Sequence, residues 1–275
     1  MIIWIASYPK SGNTWVRAII SSLLYSNNNE VDINNLKIRQ FPNRRDFKGI
    51  ITDFTSEEQF AKNCIYIQDK ENLDNKIKFF KTHNAFWKLG NHAFTNESNS
   101  LGVIHVVRDP RNIITSVKNH FSLSTEEESV EMLSDKYNWT GFTNNEAPQL
   151  LSSWGNHYNS WKKFPKNYLL IRYEDLVLNI KKEILRIINY LSNYFEYKIS
   201  ETIITEIEKN TSFENFKELE KRGKFSENSI NEITRERKIF FNLGPDNDWK
   251  KILKKENSNK IEKLFANEMK ELGYL

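Results

Sequence analysis

The chain has 275 residues, enough for one large α/β domain or two small ones, and 39% of them are hydrophobic. Its formal net charge is only +4, with 40 basic and 36 acidic residues mixed along the sequence, which argues against a general nucleic-acid binder. The sequence has no apolar run of about twenty residues that would predict a membrane span, and its start lacks the order of a signal peptide. The single cysteine, Cys64, excludes an intrachain disulfide, so we expect a cytoplasmic protein.

Short apolar segments alternate with segments of helical periodicity along the chain. Residues 2–6 predict a buried strand, and a helix is predicted from Asn13 onward. Further strands are predicted at 77–80, 103–107 and 168–173, and helices after 110, at 179–191 and at 258–275. This order predicts an α/β fold with a central, mainly parallel sheet flanked by helices, which we expect to form one domain over residues 1–275.

The polar stretch 122–148 interrupts this alternation. Ser124 and Glu127 have the spacing of a capping box and predict the start of a short helix. Because the stretch lies between two predicted sheet elements, we expect it to contribute a lid over the substrate.

The loop after the first strand has the composition of an anion-binding loop. It reads "SYPKSGNTW" and places the cation of Lys10, the hydroxyl of Ser11 and the small Gly12 before Asn13 and Thr14, where the helix starts. A strand, a loop and a helix in this order direct backbone N–H groups and the positive end of the helix at an anion. The loop is not the nucleotide motif G-x-x-x-x-G-K-[ST], because the lysine precedes the glycine.

A second candidate anion site follows the strand at 103–107. Arg108 comes at the strand end, and Ser116 lies about two helical turns into the next helix. Both side chains can point to the edge of the sheet at which α/β proteins bind ligands. The alternatives are a salt bridge between Arg108 and Asp109 and a serine on the helix surface.

Two anion sites at strand ends fit a nucleotide with phosphates at both ends of its sugar, and here the sequence resembles a known family. "YPKSGNTW" is similar to the 5′-phosphosulfate loop of sulfotransferases that use 3′-phosphoadenylyl sulfate (PAPS), and "RDPRNIITS" resembles their 3′-phosphate segment. Weaker similarities follow in the family's order: "KTH" (81–83), "RYEDL" (172–176), "TSF" (211–213), "GPDNDWKK" (244–251) and the terminal "MKELGYL". The resemblance implies a P-loop-like, three-layer α/β fold.

The resemblance also implies the roles of individual residues. His83 would be the general base, Lys10 would stabilise the leaving phosphate and Lys81 would help hold the sulfuryl oxygens. The implied contacts to PAPS, or to its product adenosine 3′,5′-bisphosphate (PAP), come from Lys10, Ser11, Gly12, Asn13, Thr14, Trp15, Arg108, Ser116, Tyr173, Thr211, Phe213 and Gly244. No spacing of His, Cys, Asp or Glu predicts a metal site.

One segment departs from the family pattern. Where the family usually has Arg-Lys-Gly, this chain has Asn242, Leu243 and Gly244, so the basic pair is missing. Basic residues just upstream are candidates to replace it: Arg235, Arg237 and Lys238.

Two other functions stay open at this point: a P-loop nucleotide kinase or NTPase, and a non-catalytic PAP-binding protein on the same fold. The acceptor also stays open, because residues 84–100 and 122–148 offer polar, aromatic and basic side chains for a sugar, a lipid head group, a phenol or a small metabolite. His120 is a second histidine that could approach the acceptor.

Overall fold

A five-stranded parallel sheet lies at the centre of the computed structural model, which describes residues 1–25, 36–141, 147–196, 200–225 and 239–275. The described strands are β1 (Ile2–Ser7), β2 (Arg39–Gln40), β3 (Lys78–Thr82), β4 (Lys88–Leu89), β5 (His92–Ala93), β6 (Ser100–Val107), β7 (Trp139–Thr140), β8 (Gln149–Leu150) and β9 (Asn167–Arg172). The sheet has the order β2-β3-β1-β6-β9, and each neighbouring pair is parallel. Two small antiparallel pairs, β4 with β5 and β7 with β8, stand apart from it.

Helices connect these strands. In chain order they are α1 (Asn13–Tyr25), α2 (Glu57–Glu71), α3 (Pro110–Phe121), α4 (Glu126–Ser134), α5 (Trp154–Lys162), α6 (Tyr173–Leu191), α7 (Glu201–Asn210), α8 (Phe213–Lys221), α9 (Trp249–Ile252), α10 (Lys255–Leu264) and α11 (Ala266–Glu271). Two short 3₁₀ turns occur at Arg44–Phe47 and Gly244–Asp246. Within the described ranges, no helix combines the length and the apolar character that crossing a membrane requires.

The sheet is covered on both faces, as the alternation of side chains along β1 shows. Ile3 and Ile5 point to one face and pack in a core cluster with residues of α1, α6 and α7. Ile2 and Trp4 point to the other face and pack with residues of α2 and α5. Burial on both faces explains why the strand is apolar throughout, and the three-layer α/β prediction is confirmed.

The predicted strands are confirmed, while some helix boundaries differ. Tyr173, predicted as the end of a strand, instead begins α6, and Asn179 interrupts that helix with φ −156° and ψ 77°. The predicted terminal helix is two helices that meet at Phe265, whose ring packs against Trp154 at 5.2 Å.

The predicted capping box of α4 is wrong by one residue. Thr125, not Ser124, is the N-cap, and its hydroxyl accepts the N–H of Glu128 at 3.1 Å. The Glu128 carboxylate in turn accepts the N–H of Ser124 at 2.9 Å, so Glu128 takes the place that was assigned to Glu127.

The carboxyl ends of the parallel strands meet at one edge of the sheet. β2 ends at Gln40, and the loop with Lys10 follows β1. His83, Arg108 and Tyr173 directly follow β3, β6 and β9. Chemically active side chains from distant parts of the sequence are therefore brought to the same edge.

Candidate active site

A cavity of about 560 Å³ opens at this edge of the sheet. Most of the predicted site residues line it: Lys10, Gly12, Asn13, Thr14, Trp15, Lys81, His83, Arg108, Ser116, Tyr173, Phe213 and Gly244. The predicted loop and the predicted strand ends therefore contribute to one site.

The backbone of the first loop explains the residue types found there. Lys10 and Gly12 both have left-handed backbone angles, with φ of 67° and 100°. The carbonyl of Gly12 accepts the N–H groups of Trp15 and Val16 and so starts α1. A Cβ atom on Gly12 would lie only 2.8 Å from Cδ2 of Tyr173, so the close approach of the loop to that ring requires glycine.

Three buried hydrogen-bond donors around the loop find no partner among the described residues. They are the hydroxyl of Ser11, the indole Nε1 of Trp15 and Nε of Arg108. A buried polar atom without a partner costs about 1–3 kcal/mol, so such atoms are seldom left unpaired in a native protein. A cluster of unpaired donors beside Lys10 at the start of α1 is suited to an anion with several acceptor oxygens.

Arg108 keeps its charge available to the cavity. Its Nη1 and Nη2 atoms donate to the carbonyl oxygens of Lys10 and Gly244, each at 3.2 Å, and its guanidinium stacks 4.0 Å from the ring centre of Tyr173. The alternative pairing with Asp109 is not found, because that carboxylate binds Arg111 instead. The hydrogen bonds of Arg108 in the described chain thus go to two neutral carbonyls, while its charge also acts on the Glu174 carboxylate.

The tautomer of His83 follows from its contacts. Nδ1 lies 2.7 Å from the carbonyl oxygen of Ser7, which can only accept a hydrogen bond, so Nδ1 carries the proton. Nε2 is then the unprotonated nitrogen and can accept a proton. The Ser7 hydroxyl lies 3.2 Å from Nδ1 and itself accepts from Nδ2 of Asn13 at 3.1 Å, which connects the start of α1 to the histidine.

The surroundings of His83 keep its ring neutral. Burial, and after it the positive charge of Lys81, lower the pKa of His83 well below its ordinary value of 6.5, against the opposing effect of its bond to the Ser7 backbone. His120 also lowers this pKa, and it lines the same cavity. A neutral ring is therefore available at cellular pH with a wider margin than an unperturbed pKa would give.

Asn84 holds the chain next to His83. Its side-chain oxygen accepts from Trp87 Nε1 at 3.0 Å and from the N–H of Leu150 at 2.9 Å, while its carbonyl accepts from Trp161 Nε1 at 2.8 Å. These bonds fix the segment after β3 to α5 and β8. His83 is thus placed by a rigid, buried support.

Aromatic residues form the other side of the cavity. Trp15 and Tyr173 meet edge to face with ring centres 5.8 Å apart. Gly244 lies against Phe213, whose ring atoms would be 2.1–2.5 Å from an added Cβ. The ammonium group of Lys10 lies 3.6 Å from the ring centre of Phe240. These rings give the cavity an aromatic lining of the kind that packs against a nucleobase.

Two predicted nucleotide contacts do not line the cavity. Thr211 is fully buried, and its hydroxyl donates to the carbonyl of Ile207 at 2.8 Å in the last turn of α7. Ser11 is also fully buried within the loop. The neighbours of both residues, rather than their side chains, form the described lining.

Residues 84–100 and the altered segment at 242–243 differ in what they contribute to the cavity. Residues 84–100 contribute none of the described lining residues, because Trp87 and Phe94 pack in the core cluster around Trp4. Asn242 and Leu243 line the cavity at the positions of the missing basic pair. The proposed replacements Arg235, Arg237 and Lys238 lie outside the described residues.

The structure adds lining residues that the sequence did not indicate: Gln40 from the edge strand β2, Gln149 from β8, and Phe240 and Phe241 before the altered segment. Thr140 of β7 also lines the cavity and belongs to the stretch 122–148 that the sequence offers for the acceptor. A lone glutamine or threonine carries no motif, and only the pairing of strands brings these residues to the site. Elsewhere in the described part of the chain, no group of three His, Cys, Asp or Glu side chains could hold a metal ion.

The fold matches that of sulfotransferases. The family model "Sulfotransferase domain" matches residues 2–273, so the chain belongs to this family and is a sulfotransferase. The family match favours this function over the kinase alternative.

Individual relatives are distant but cover nearly the whole chain. Sulfotransferase 1B1 of Canis lupus familiaris is 26% identical, covering 97% of this chain and 83% of the relative. Amine sulfotransferase of Oryctolagus cuniculus is 24% identical, covering 98% and 81%. The crystal structure of mouse sulfotransferase SULT7A1 complexed with PAP shares the fold at a TM-score of 0.59 and 18% identity, covering 97% of this chain and 84% of that one.

Proposed function

We propose that the chain, as a single domain over residues 1–275, transfers the sulfuryl group of PAPS to a hydroxyl oxygen or an amine nitrogen of an acceptor. The observation that carries this proposal is that one cavity is lined both by Lys10, Trp15 and Arg108, the last two with unpaired N–H donors, and by His83, with an acceptor nitrogen. A site that only bound an anion would have no need of the second element.

The nucleotide would lie between the loop and the aromatic wall. The 5′-phosphosulfate fits the start of α1, where Lys10, Gly12 and Thr14 line the cavity. The 3′-phosphate fits Arg108 and Ser116, and the adenine fits the ring faces of Tyr173 and its neighbours. The likeness to a sulfotransferase structure with PAP supports this arrangement.

The chemistry requires one bond to form, one to break and one proton to move. As the acceptor oxygen bonds to sulfur, the bond from sulfur to the 5′-phosphate oxygen breaks, and negative charge builds on that phosphate. Lys10 would stabilise this charge more in the transition state than in the ground state. The acceptor proton passes to Nε2 of His83, and Lys81 would hold the sulfuryl oxygens beside it.

The test replaces His83 by alanine and separates chemistry from binding. Single-turnover transfer from preloaded, labelled PAPS should slow by roughly 10²–10⁴-fold, the usual span for a lost general base. The Kd for PAP should change little, because the imidazole would face the acceptor. His92→Ala, in β5 and outside the described lining, is the matched control and should keep the wild-type rate.

Other results of this experiment would contradict specific parts of the proposal. A near wild-type rate in His83→Ala would remove His83 as the base and make His120 the next candidate. Early melting of this variant would assign His83 a role in the fold. Failure of the wild-type protein to bind PAPS or PAP at all would overturn the proposed function.

A further inference from the structure

The part of the cavity around His83 is built from uncharged polar side chains as well as from charged ones. Gln40 is the strand partner of Lys81, two residues before His83. Gln149 accepts the N–H of His83 through its Oε1 at 3.2 Å, and Thr140 is the strand partner of Gln149. We call Gln40, Thr140 and Gln149 the polar wall; all three line the cavity.

The polar wall has hydrogen-bonding capacity that the described protein does not use. Neither the side-chain amide of Gln40 nor the hydroxyl of Thr140 has a partner among the described residues. The Gln149 Oε1 accepts the N–H of His83, so the Nε2 group of Gln149 remains as a donor for a ligand. A ligand beside His83 thus meets donors and acceptors side by side.

Another part of the cavity lining has a different character. The rings of Phe213, Phe216, Phe240 and Phe241 are joined through Phe241, with ring centres 5.0–6.2 Å apart. Under the proposed function, these rings belong to the nucleotide end. The polar wall is therefore the part that meets the acceptor.

We propose that the acceptor is a compound with several hydroxyl groups, of the carbohydrate or polyol class; this rests on the proposed function. Each sugar hydroxyl is both a donor and an acceptor, and a side-chain amide offers both partners. One hydroxyl would lie at Nε2 of His83, and its neighbours would bond to the polar wall. Phe121 also lines the cavity and is an aromatic side chain of the kind that packs on the C–H side of a sugar ring.

A flat phenol or a sterol would fit this wall poorly. Such an acceptor brings one hydroxyl to His83 and covers the two amides and the Thr140 hydroxyl with carbon. The covered groups then lose water without gaining a partner, and sites built to hydrogen-bond a hydroxyl strongly reject analogues that lack it. The polar wall would therefore select against apolar acceptors.

The experiment compares acceptors with labelled PAPS under identical conditions. The probes are methyl glucoside, methyl galactoside, trehalose and myo-inositol as free polyols, a galactosyl lipid in detergent as a sugar-bearing lipid, and 2-naphthol as the apolar phenol. We expect kcat/KM for at least one sugar or polyol to exceed that for 2-naphthol by tenfold or more. Transfer to the galactosyl lipid alone would identify a sugar-bearing lipid as the acceptor, and the acceptor would still be a carbohydrate.

Variants of the polar wall test the same inference without a search for the best acceptor. Gln40→Leu and Thr140→Val keep the approximate shape of each side chain and remove its hydrogen bonds. Each should lower kcat/KM for the sugar by about three- to tenfold and leave or raise that for 2-naphthol. Gln59→Leu in α2, outside the described lining, is the matched control and should leave both values unchanged.

The outcomes separate this inference from the proposed function. Preferred transfer to 2-naphthol over every sugar and polyol, or no transfer to any of them, would overturn the acceptor class while PAP binding still supported the sulfotransferase site. An equal loss of kcat/KM for sugar and 2-naphthol in Gln40→Leu and Thr140→Val would show that the polar wall has only a structural role, and would also overturn the acceptor class. Absence of PAP binding would overturn the proposed function itself.

Discussion

Replacement of Arg108 by alanine should weaken the binding of PAP far more than that of 5′-AMP. The guanidinium is nearly buried, it stacks on Tyr173, and its Nε has no partner in the described chain. A charge-assisted contact of this kind to the 3′-phosphate contributes about 1.5–3 kcal/mol, so Kd for PAP should rise by roughly 10- to 150-fold.

The loss for 5′-AMP comes from a different source. Arg108 also joins the carbonyls of Lys10 and Gly244, each at 3.2 Å, and loosening these two segments affects any adenine nucleotide. Bonds to neutral groups contribute about 0.5–1.5 kcal/mol each, and the segments keep their other contacts, so we expect Kd for 5′-AMP to rise by less than about tenfold.

Calorimetric titration of both nucleotides measures the two losses at one ionic strength. Arg108→Lys keeps the charge but loses the planar guanidinium, so its Kd for PAP should lie between those of the wild type and Arg108→Ala. Arg45→Ala removes an exposed arginine outside the described lining and should leave both affinities in place. Equal losses for PAP and 5′-AMP in Arg108→Ala would refute the assignment of Arg108 to the 3′-phosphate.

Three further predictions concern the base, the loop and metals. Burial and then Lys81 lower the pKa of His83, and the base must be neutral to act; Lys81→Gln should therefore move the acid limb of the pH profile of kcat/KM to higher pH, while Lys88→Gln should not. An unshifted limb would mean that His83 does not control it. Gly12→Ala should lower the free energy of unfolding by about 1–3 kcal/mol because of its φ of 100° and its contact with Tyr173, and urea denaturation would contradict this if stability were unchanged. Turnover should persist in excess EDTA, and a strict requirement for added Mg²⁺ would contradict the proposed chemistry.

The fold could be predicted where local pattern and burial agree. β1 and β6 are apolar because the sheet is covered on both faces, so their runs of hydrophobic residues are clear in the sequence. The strands β2, β7 and β8 are each only two residues long. Their pairing depends on partners elsewhere in the chain, which a short local pattern cannot indicate. The break at Phe265 also coincides with a distant contact, since its ring packs on Trp154 of α5.

The sequence predicts the anion-binding part of the candidate site better than the acceptor part. The anion-binding elements are continuous in sequence, because a loop and the first turn of a helix hold an anion with backbone groups, a cation and a glycine. This order of residues predicts Lys10, Gly12 and Arg108 as site residues, and the structure brings all three to one cavity. Gln40 and Gln149 are ordinary polar residues whose position at the site depends on three-dimensional neighbours, so the sequence did not indicate them. Thr140 and His120 do line the cavity, and both belong to parts of the chain that the sequence offers for the acceptor.

The loop and His83, the proposed base, are connected through Ser7. The Ser7 carbonyl holds the proton on Nδ1 of His83, while its hydroxyl accepts from Asn13 Nδ2, which also donates to the Ile5 carbonyl at 3.0 Å. Asn13 begins α1, at the point where an anion would approach the helix. A shift of this first turn would therefore change the position of the anion and the orientation of the imidazole together. Under the proposed function, one short segment would therefore set the positions of both the leaving phosphate and the base, and so hold them in the constant relative geometry that in-line transfer requires.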